Sequence, residues 1–347
     1  MTLSVPRGTR TVNRYVSIKA RYSRRVTSPY DIAEIFPDDT AEPVRLPRRQ
    51  AGNSPQGLTV TLLADYTLRH RAWLPSAALV TLLAESGVSQ AGSRTAISRL
   101  ARRGVLEGRR QGRRSFYRLT PAAAVFLAVG GSAIASPVDA EPWDEHWTVI
   151  AFSVPRDQAA QRRGLRAQLR WMGFAPLYDG LWVSPRALTG KAQEQLAEFG
   201  PIMTVFRARY AEPGRSPLDA WDTAAIAGHY QSFIASWHPL VPRIHAGQVS
   251  GPEAVRARTE VMDTYRRLPI LDPGLPARLL PPGWLREPVR DLFIAIYDGL
   301  AANAEDHVRA VAAAGTDDPL RGVGAHTVAA LAAGLPFAPA DDHDQDI

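Results

Sequence analysis

Nine arginines and one glutamate fall within Ser89–Arg118, the heart of the stretch 94-RTAISRLARRGVLEGRRQGRRSFYRLT-120. A guanidinium is a planar fork of donors that grips a phosphate or the edge of guanine at two points. A cluster of them can be a solvated helix face, a loose basic tail, or a surface built for a polyanion. The apolar residues decide. Ile97, Leu100, Val105, Leu106 and Leu119 recur at spacings that tie the stretch to a core, so it is not a loose tail. A solvated face mixes signs, and Glu107 is the only acid here. The chemistry that remains is contact with nucleic acid. No aromatic stacking platform on a sheet face accompanies the arginines, which favours double-stranded DNA over RNA.

Other residues that could do chemistry are weaker. His146 lies among Trp143, Asp144, Glu145 and Trp147, and packing between domains accounts for it better than a metal or a base. His229 and His238 are nine apart and fall on opposite faces of one predicted helix. His343 sits between acids in the C-terminal tail. Asp157, beyond Pro155, reads as a helix-start carboxylate. With no cysteine, a disulfide scaffold, thiolate zinc and a cysteine nucleophile are excluded. No G-x-S-x-G, P-loop, G-x-G-x-x-G or H-E-x-x-H occurs, so neither a cofactor nor a metal is expected, and the chain reads as a non-enzyme.

The elements that must position the arginines follow from periodicity. Val60, Leu62, Leu63 and Tyr66 open a helical pattern, and Leu79, Leu82 and Leu83 carry a second helix after Pro75-Ser76. Ser89 is a good N-cap for a third, ended by Gly104. That helix turns Ile97 and Leu100 one way and Thr95, Ser98, Arg99 and Arg102 the other. Val105-Leu106 starts a strand, Gly108 to Gly112 forms a basic turn, and Phe116, Tyr117 and Leu119 return. Three helices and a hairpin make a winged helix-turn-helix, with the third helix in the major groove.

After a small-residue linker, Gly130 to Pro137, the order changes to β-α-β-β-α-β. Strands are predicted over 147–154, within 174–185 around Asp179-Gly180, and over 202–210. Helices are predicted over 157–172 and 188–199. This is a ferredoxin-like layout, and such folds host many functions. The rest is helical: Ile226, Tyr230, Phe233, Ile234 and Trp237 mark one helix, 253–267 a second, and Val289 to Leu300 a third. The fold class is α+β multidomain, with a basic disordered tail over 1–55, a winged helix domain over 56–129, the ferredoxin-like domain over 138–213, a helical domain over 214–335 and a disordered tail over 336–347.

Charge is unevenly spread along this plan. Residues 1–135 hold 21 basic and 8 acidic side chains, a net of +13, and the remainder hold 20 and 26, a net of −6, which together give the +7 of the 347-residue chain. The front attracts a polyanion and the back does not. No run of 18 apolar residues and no apolar N-terminal segment occurs, so no membrane contact and a cytoplasmic location are expected.

Four stretches, 94-RTAISRLARRG-104 with 112-GRRSFYRLT-120, 146-HWTVIAFSVP-155, 173-GFAPLYDGLWVSPR-186 and 265-YRRLPILDPGLPARLLPPGW-284, carry a resemblance to the PaaX-like family of bacterial transcriptional repressors, from about Leu58 to Asn303. The resemblance implies a winged helix domain, a middle domain shaped like the small CRISPR-adaptation endoribonucleases, and a helical C-terminal domain. It also implies a homodimer on a palindromic operator, released by an aryl-CoA thioester such as phenylacetyl-CoA, in control of an aromatic-acid catabolic operon. The family's DNA-reading stretch falls on Arg94, Thr95, Ser98 and Arg99, and its wing on Arg110, Gly112, Arg113, Arg114 and Tyr117. Ser93 departs from the apolar residue that usually packs there. An alternative from another class is a metal-dependent nuclease using the middle domain, but its first strand ends Phe152-Ser153-Val154 without the carboxylate that such enzymes carry. For a thioester's phosphates, Arg162, Arg163, Arg166 and Arg170 are available, with Tyr178, Trp182 or the C-terminal aromatics for an acyl end; a solvated helix face and core aromatics explain them better, and none is assigned as a ligand residue.

Overall fold

The structure, a computed structural model, describes residues 54–136, 143–155, 157–197, 202–212, 214–272, 274–316 and 321–335. The disordered reading of 1–55 and 336–347 lies outside these residues, except that Ser54 caps the first helix and Pro55 opens it.

Helix α1 (Pro55–Thr67), the two-residue strand β1 (Leu74–Pro75), α2 (Ser76–Glu85) and α3 (Gln90–Arg102) precede the hairpin β2 (Leu106–Gln111) and β3 (Arg114–Leu119). The three strands form an antiparallel sheet in the order β1-β3-β2. Ser89 caps α3 by accepting from the Gly92 amide at 3.1 Å, and Gly104 ends the turn after it at φ +69°. The broad basic turn expected over Gly108–Gly112 is instead strand. β2 runs to Gln111, paired with Arg114, and the turn narrows to Gly112-Arg113. Gly112 at φ +57° supplies the backbone that a two-residue hairpin loop needs in its first position. Arg109 and Arg110 therefore sit in a paired strand, pointing to opposite faces.

The linker expected from Gly130 is also different. Helix α4 (Pro121–Ala135) starts at Thr120, whose hydroxyl accepts from the Ala123 amide, and runs through the glycines. Its small residues permit close packing rather than flexibility. A Cβ at Gly131 would lie 3.3 Å from Leu331, on helix α13 (Val328–Ala332), and Ser132 donates to the Ala332 carbonyl at 3.1 Å.

The middle region holds β4 (His146–Phe152), α5 (Ala159–Trp171), β5 (Ala175–Tyr178), β6 (Leu181–Ser184), α6 (Gly190–Ala197) and β7 (Met203–Arg209). Its sheet is antiparallel in the order β5-β6-β4-β7. Gly180 lets the β5–β6 turn approach β4, since a Cβ there would meet the Phe152 carbonyl at 2.7 Å. One face buries Ile150, Leu165, Leu169, Trp182 and Leu196 beneath α5 and α6.

The C-terminal region contains α7 (Thr223–Trp237), α8 (Val241–His245), α9 (Gly251–Tyr265), α10 (Leu268–Leu271), α11 (Arg286–Gly299), α12 (Ala301–Ala313) and α13. Its core is continuous with that of the N-terminal helices and hairpin: Leu63, Leu79, Ile97, Leu106 and Leu119 belong to the same buried cluster as Val255, Phe293, Tyr297 and Val308. The middle sheet keeps its own core. It meets the rest through Trp147, which packs with Trp143, Trp221 and Leu279, while Arg278 pairs with Glu145 at 2.8 Å.

Candidate nucleic-acid interface

Helix α3 is amphipathic in the way its sequence suggests. Ser93, Ala96, Ile97 and Leu100 are buried, whereas Arg94, Thr95, Ser98, Arg99 and Arg102 are exposed. Ser93, out of place as a polar residue, donates its hydroxyl to the Ser89 carbonyl at 3.1 Å and so enters the core satisfied. On the hairpin, Arg110, Arg113 and Arg114 are exposed. Tyr117 is half-buried, packs against the core and lies across Gly108, where a Cβ would meet its ring at 2.9 Å. Of the nine side chains singled out from the sequence, eight are therefore on the surface and Tyr117 is partly inside.

The remaining arginines of the stretch do something else. Glu107 accepts from Arg118 at 2.5 Å and from Arg71, whose Nε also donates to the Leu119 carbonyl at 3.0 Å. Arg109 and Arg118 lie over the Trp73 ring, 4.8 and 4.3 Å from its centroid. Arg103 donates to Gln56 at 3.3 Å. Burial, with Arg118 nearby, pulls the Arg71 guanidinium below its usual value, and Glu107 opposes this. Arg94, Arg99, Arg102 and Arg113, by contrast, have no ion-pair or hydrogen-bond partner among the described residues. The lone acid is consumed internally by two arginines, and the exposed set is left uniformly positive. Nothing in the sequence sorted these two groups except position on a strand or helix face.

The other residues raised by the sequence are mostly held in place. His146 faces the Asp144 carbonyl through Nδ1 at 2.7 Å, and Arg207 binds Asp144 at 2.6 Å. Arg162 donates to the Val154 carbonyl at 2.5 Å, Arg166 pairs with Asp179 at 2.5 Å, and Arg170 lies 5.3 Å from the Trp182 centroid. That row is folded onto its own sheet and turn. Among the described residues no group of three His, Asp or Glu could hold a metal ion, and no helix is long and apolar enough to cross a membrane.

Comparison with known proteins decides the family. Residues 54–123 match the PaaX-like protein family, 140–218 the PaaX protein central Cas2-like domain, and 221–310 the PaaX-like protein C-terminal domain. The transcriptional repressor PaaX of Escherichia coli strain K12 is 32% identical over 258 residues, covering 71% of this chain and 80% of that protein. The chain belongs to the PaaX-like family. Among solved structures, an uncharacterized protein from Mycobacterium tuberculosis shares the fold of this PaaX-like chain, with a TM-score of 0.50 at 20% identity over 73% of this chain and 98% of that one. The first family match contains α3, the hairpin and every arginine of the exposed set. Helix α4 after Ala123 and residues beyond 310 lie outside the three matched ranges.

Proposed function

We propose that this PaaX-like chain is a DNA-binding transcriptional repressor rather than an enzyme. Its N-terminal helices and hairpin act as a winged helix, with α3 in the major groove and the Gly112-Arg113 tip against the neighbouring backbone. Arg94, Thr95, Ser98, Arg99 and Arg102 read or grip the duplex from α3, and Arg110, Arg113 and Arg114 from the hairpin. Tyr117, half-buried, supports the wing from behind. The observation that carries this reading is that Arg94, Arg99, Arg102 and Arg113 are exposed on α3 and the hairpin turn with no partner among the described residues, beside Arg103, Arg109 and Arg118 of the same stretch, which are internally engaged. Family membership supports it, as does the name of the Escherichia coli relative.

The middle domain is ferredoxin-like in strand order and Cas2-like in family, and with the C-terminal helices it senses a metabolite. The working form is a cytoplasmic homodimer on a palindromic operator. An aryl-CoA thioester such as phenylacetyl-CoA releases it to induce an aromatic-acid catabolic operon.

Fluorescence anisotropy on DNA from upstream of the gene, titrated with phenylacetyl-CoA at fixed salt, tests the proposal. Sequence-specific binding that the thioester releases is the expected result. Specific binding that ignores the thioester removes the effector assignment alone. Equal affinity for scrambled DNA, with strand cleavage in Mg²⁺, would replace the repressor with a nuclease.

A further inference from the structure

The hairpin projects from the body, and the structure shows how its tilt is fixed. Its core-facing side carries Leu106 and Leu119 at the base. Its other side carries Glu107, Arg109, Phe116 and Arg118, paired across the strands as Glu107 with Arg118 and Arg109 with Phe116. The strap from Arg71 to Pro75 borders the hairpin and sets the Arg71 and Trp73 side chains against that side. Arg71 takes a left-handed backbone conformation, φ +49°, unusual for a residue with a side chain, and binds both Glu107 and the Leu119 carbonyl. Leu74 and Pro75 then pair with Tyr117 and Phe116, and the pairing stops there. Between these two fastenings stands Trp73, with Arg118 at 4.3 Å and Arg109 at 4.8 Å over its ring, while Arg109 also lies 5.4 Å from the Phe116 centroid.

The stack solves an electrostatic problem. Arg71 and Arg118 share one carboxylate, Glu107, and a third guanidinium, Arg109, lies over the same Trp73 ring as Arg118. Indole faces attract cations more strongly than other aromatic faces do, so the ring holds two like charges side by side. It does so two residue pairs before the turn, past which Arg110, Gly112 and Arg113 are exposed.

We infer that Trp73 is a positioning residue for the DNA-gripping hairpin: through Arg109 and Arg118 it sets the tilt at which Arg110 and Arg113 meet the backbone beside α3. This rests on the DNA-binding reading above, and two independent measurements on the full chain separate the two. The first needs no DNA. Trypsin cleavage after Arg110 and Arg113 is several-fold faster in Trp73→Leu than in wild type or Trp73→Phe, with the melting temperatures of the two variants alike. Equal cleavage in the Leu and Phe variants overturns the brace.

The second is the salt dependence of DNA affinity. Losing the contacts of Arg110 and Arg113 lowers the log–log slope by about 1.8 per protomer, and weakens binding about 10-fold or more at low salt. Trp73→Phe keeps most of the wild-type slope. A Leu variant with the full slope overturns the positioning role even if it unfolds more easily, because lost stability alone leaves the slope intact. A wild type that binds no DNA overturns the function itself, and the cleavage result then stands alone as a statement about the hairpin.

Discussion

Of the three buried aspartates among the described residues, Asp65 and Asp272 have opposite surroundings. Asp272, in the loop before α11, accepts from Tyr230 at 2.8 Å, Trp284 at 2.7 Å, Arg286 Nε at 2.9 Å and the Leu275 amide at 3.2 Å, with a further bond from Arg286 Nη2. Asp65, on α1, accepts from Tyr297 at 2.7 Å through one oxygen, and its other oxygen has no partner among the described residues. Burial pushes both carboxyls up. At Asp272 the Arg286 fork, with Trp284 and Tyr230, more than reverses this and holds the group below the usual range. At Asp65 burial wins over Arg258 and Tyr297, and the group is pushed up to about 6. The number of donors and the charge in direct contact decide the proton, not depth. Arg258 illustrates the same point. It is fully buried but spends its donors on the Tyr297 and His326 carbonyls and its charge on the Tyr297 ring, 3.6 Å from the centroid.

The strongest test of this contrast is to neutralise each carboxylate. Asp272→Asn strands the Arg286 guanidinium against a half-suited amide, and should cost about 3–5 kcal/mol in urea denaturation. Asp65→Asn mimics the protonated acid that its site already favours, so stability at pH 7 should hold or rise. Equal losses from the two substitutions would break the comparison.

A second test uses pH. A raised carboxyl binds its proton more tightly when folded, so the Asp65 contribution is fully present below the unfolded value of 3.8 and is lost as pH rises through about 6. His326 is shifted the other way: burial, then Arg258, pull it from 6.5 down to about 4. Its contribution is present above 6.5 and lost as pH falls through about 4. Each spans about 3 kcal/mol. The slopes oppose over nearly the same window, and these two groups together leave wild-type stability close to flat from about pH 4 to 6. Asp65→Asn should therefore unmask a stability that rises with pH across that window, and His326→Gln one that falls. Parallel curves for both variants would mean that the two groups do not titrate as their surroundings imply.

Neither carboxylate touches the exposed arginines, so the third test crosses the two properties. Arg99→Ala should weaken DNA binding by about 1–3 kcal/mol if the side chain contacts a base, while changing folding stability by less than about 0.5 kcal/mol. Asp65→Asn at pH 7 should leave both the affinity and the salt slope of binding untouched, whatever stability it adds. A slope altered by Asp65→Asn would show that the buried node and the exposed arginine face are energetically linked.

How much of this was legible in the sequence depended on the range of the interactions. The α3 face was, because Ile97 and Leu100 on one side and Arg99 and Arg102 on the other follow from helical spacing alone. Helix α4 was not: its glycines and serine read as a linker, and only contact with Leu331 and Ala332, some 200 positions away, shows why small residues suit it. The hairpin turn reads too broad from sequence alone because Arg109 and Arg110 look like loop residues until the strand register separates their faces. Asp272 sat in plain view within 265-YRRLPILDPGLPARLLPPGW-284, but its donors Tyr230 and Arg286 lie outside that stretch. Asp65 gave no signal, since a carboxylate on a helix is ordinarily solvated.

The smallest expected effect concerns the joint between regions. His307 on α12 and Glu85 on α2 meet at 2.9 Å on the rim of the shared core, both partly exposed. Water screens such a pair, so Glu85→Gln should change stability by no more than about 1 kcal/mol. The amide retains a hydrogen-bond acceptor for the imidazole, and the buried cluster around Leu79, Val255 and Val308 carries the contact between the regions. A much larger loss would place the coupling at this rim pair, and would shift the weight of the comparison from the buried aspartates to the surface.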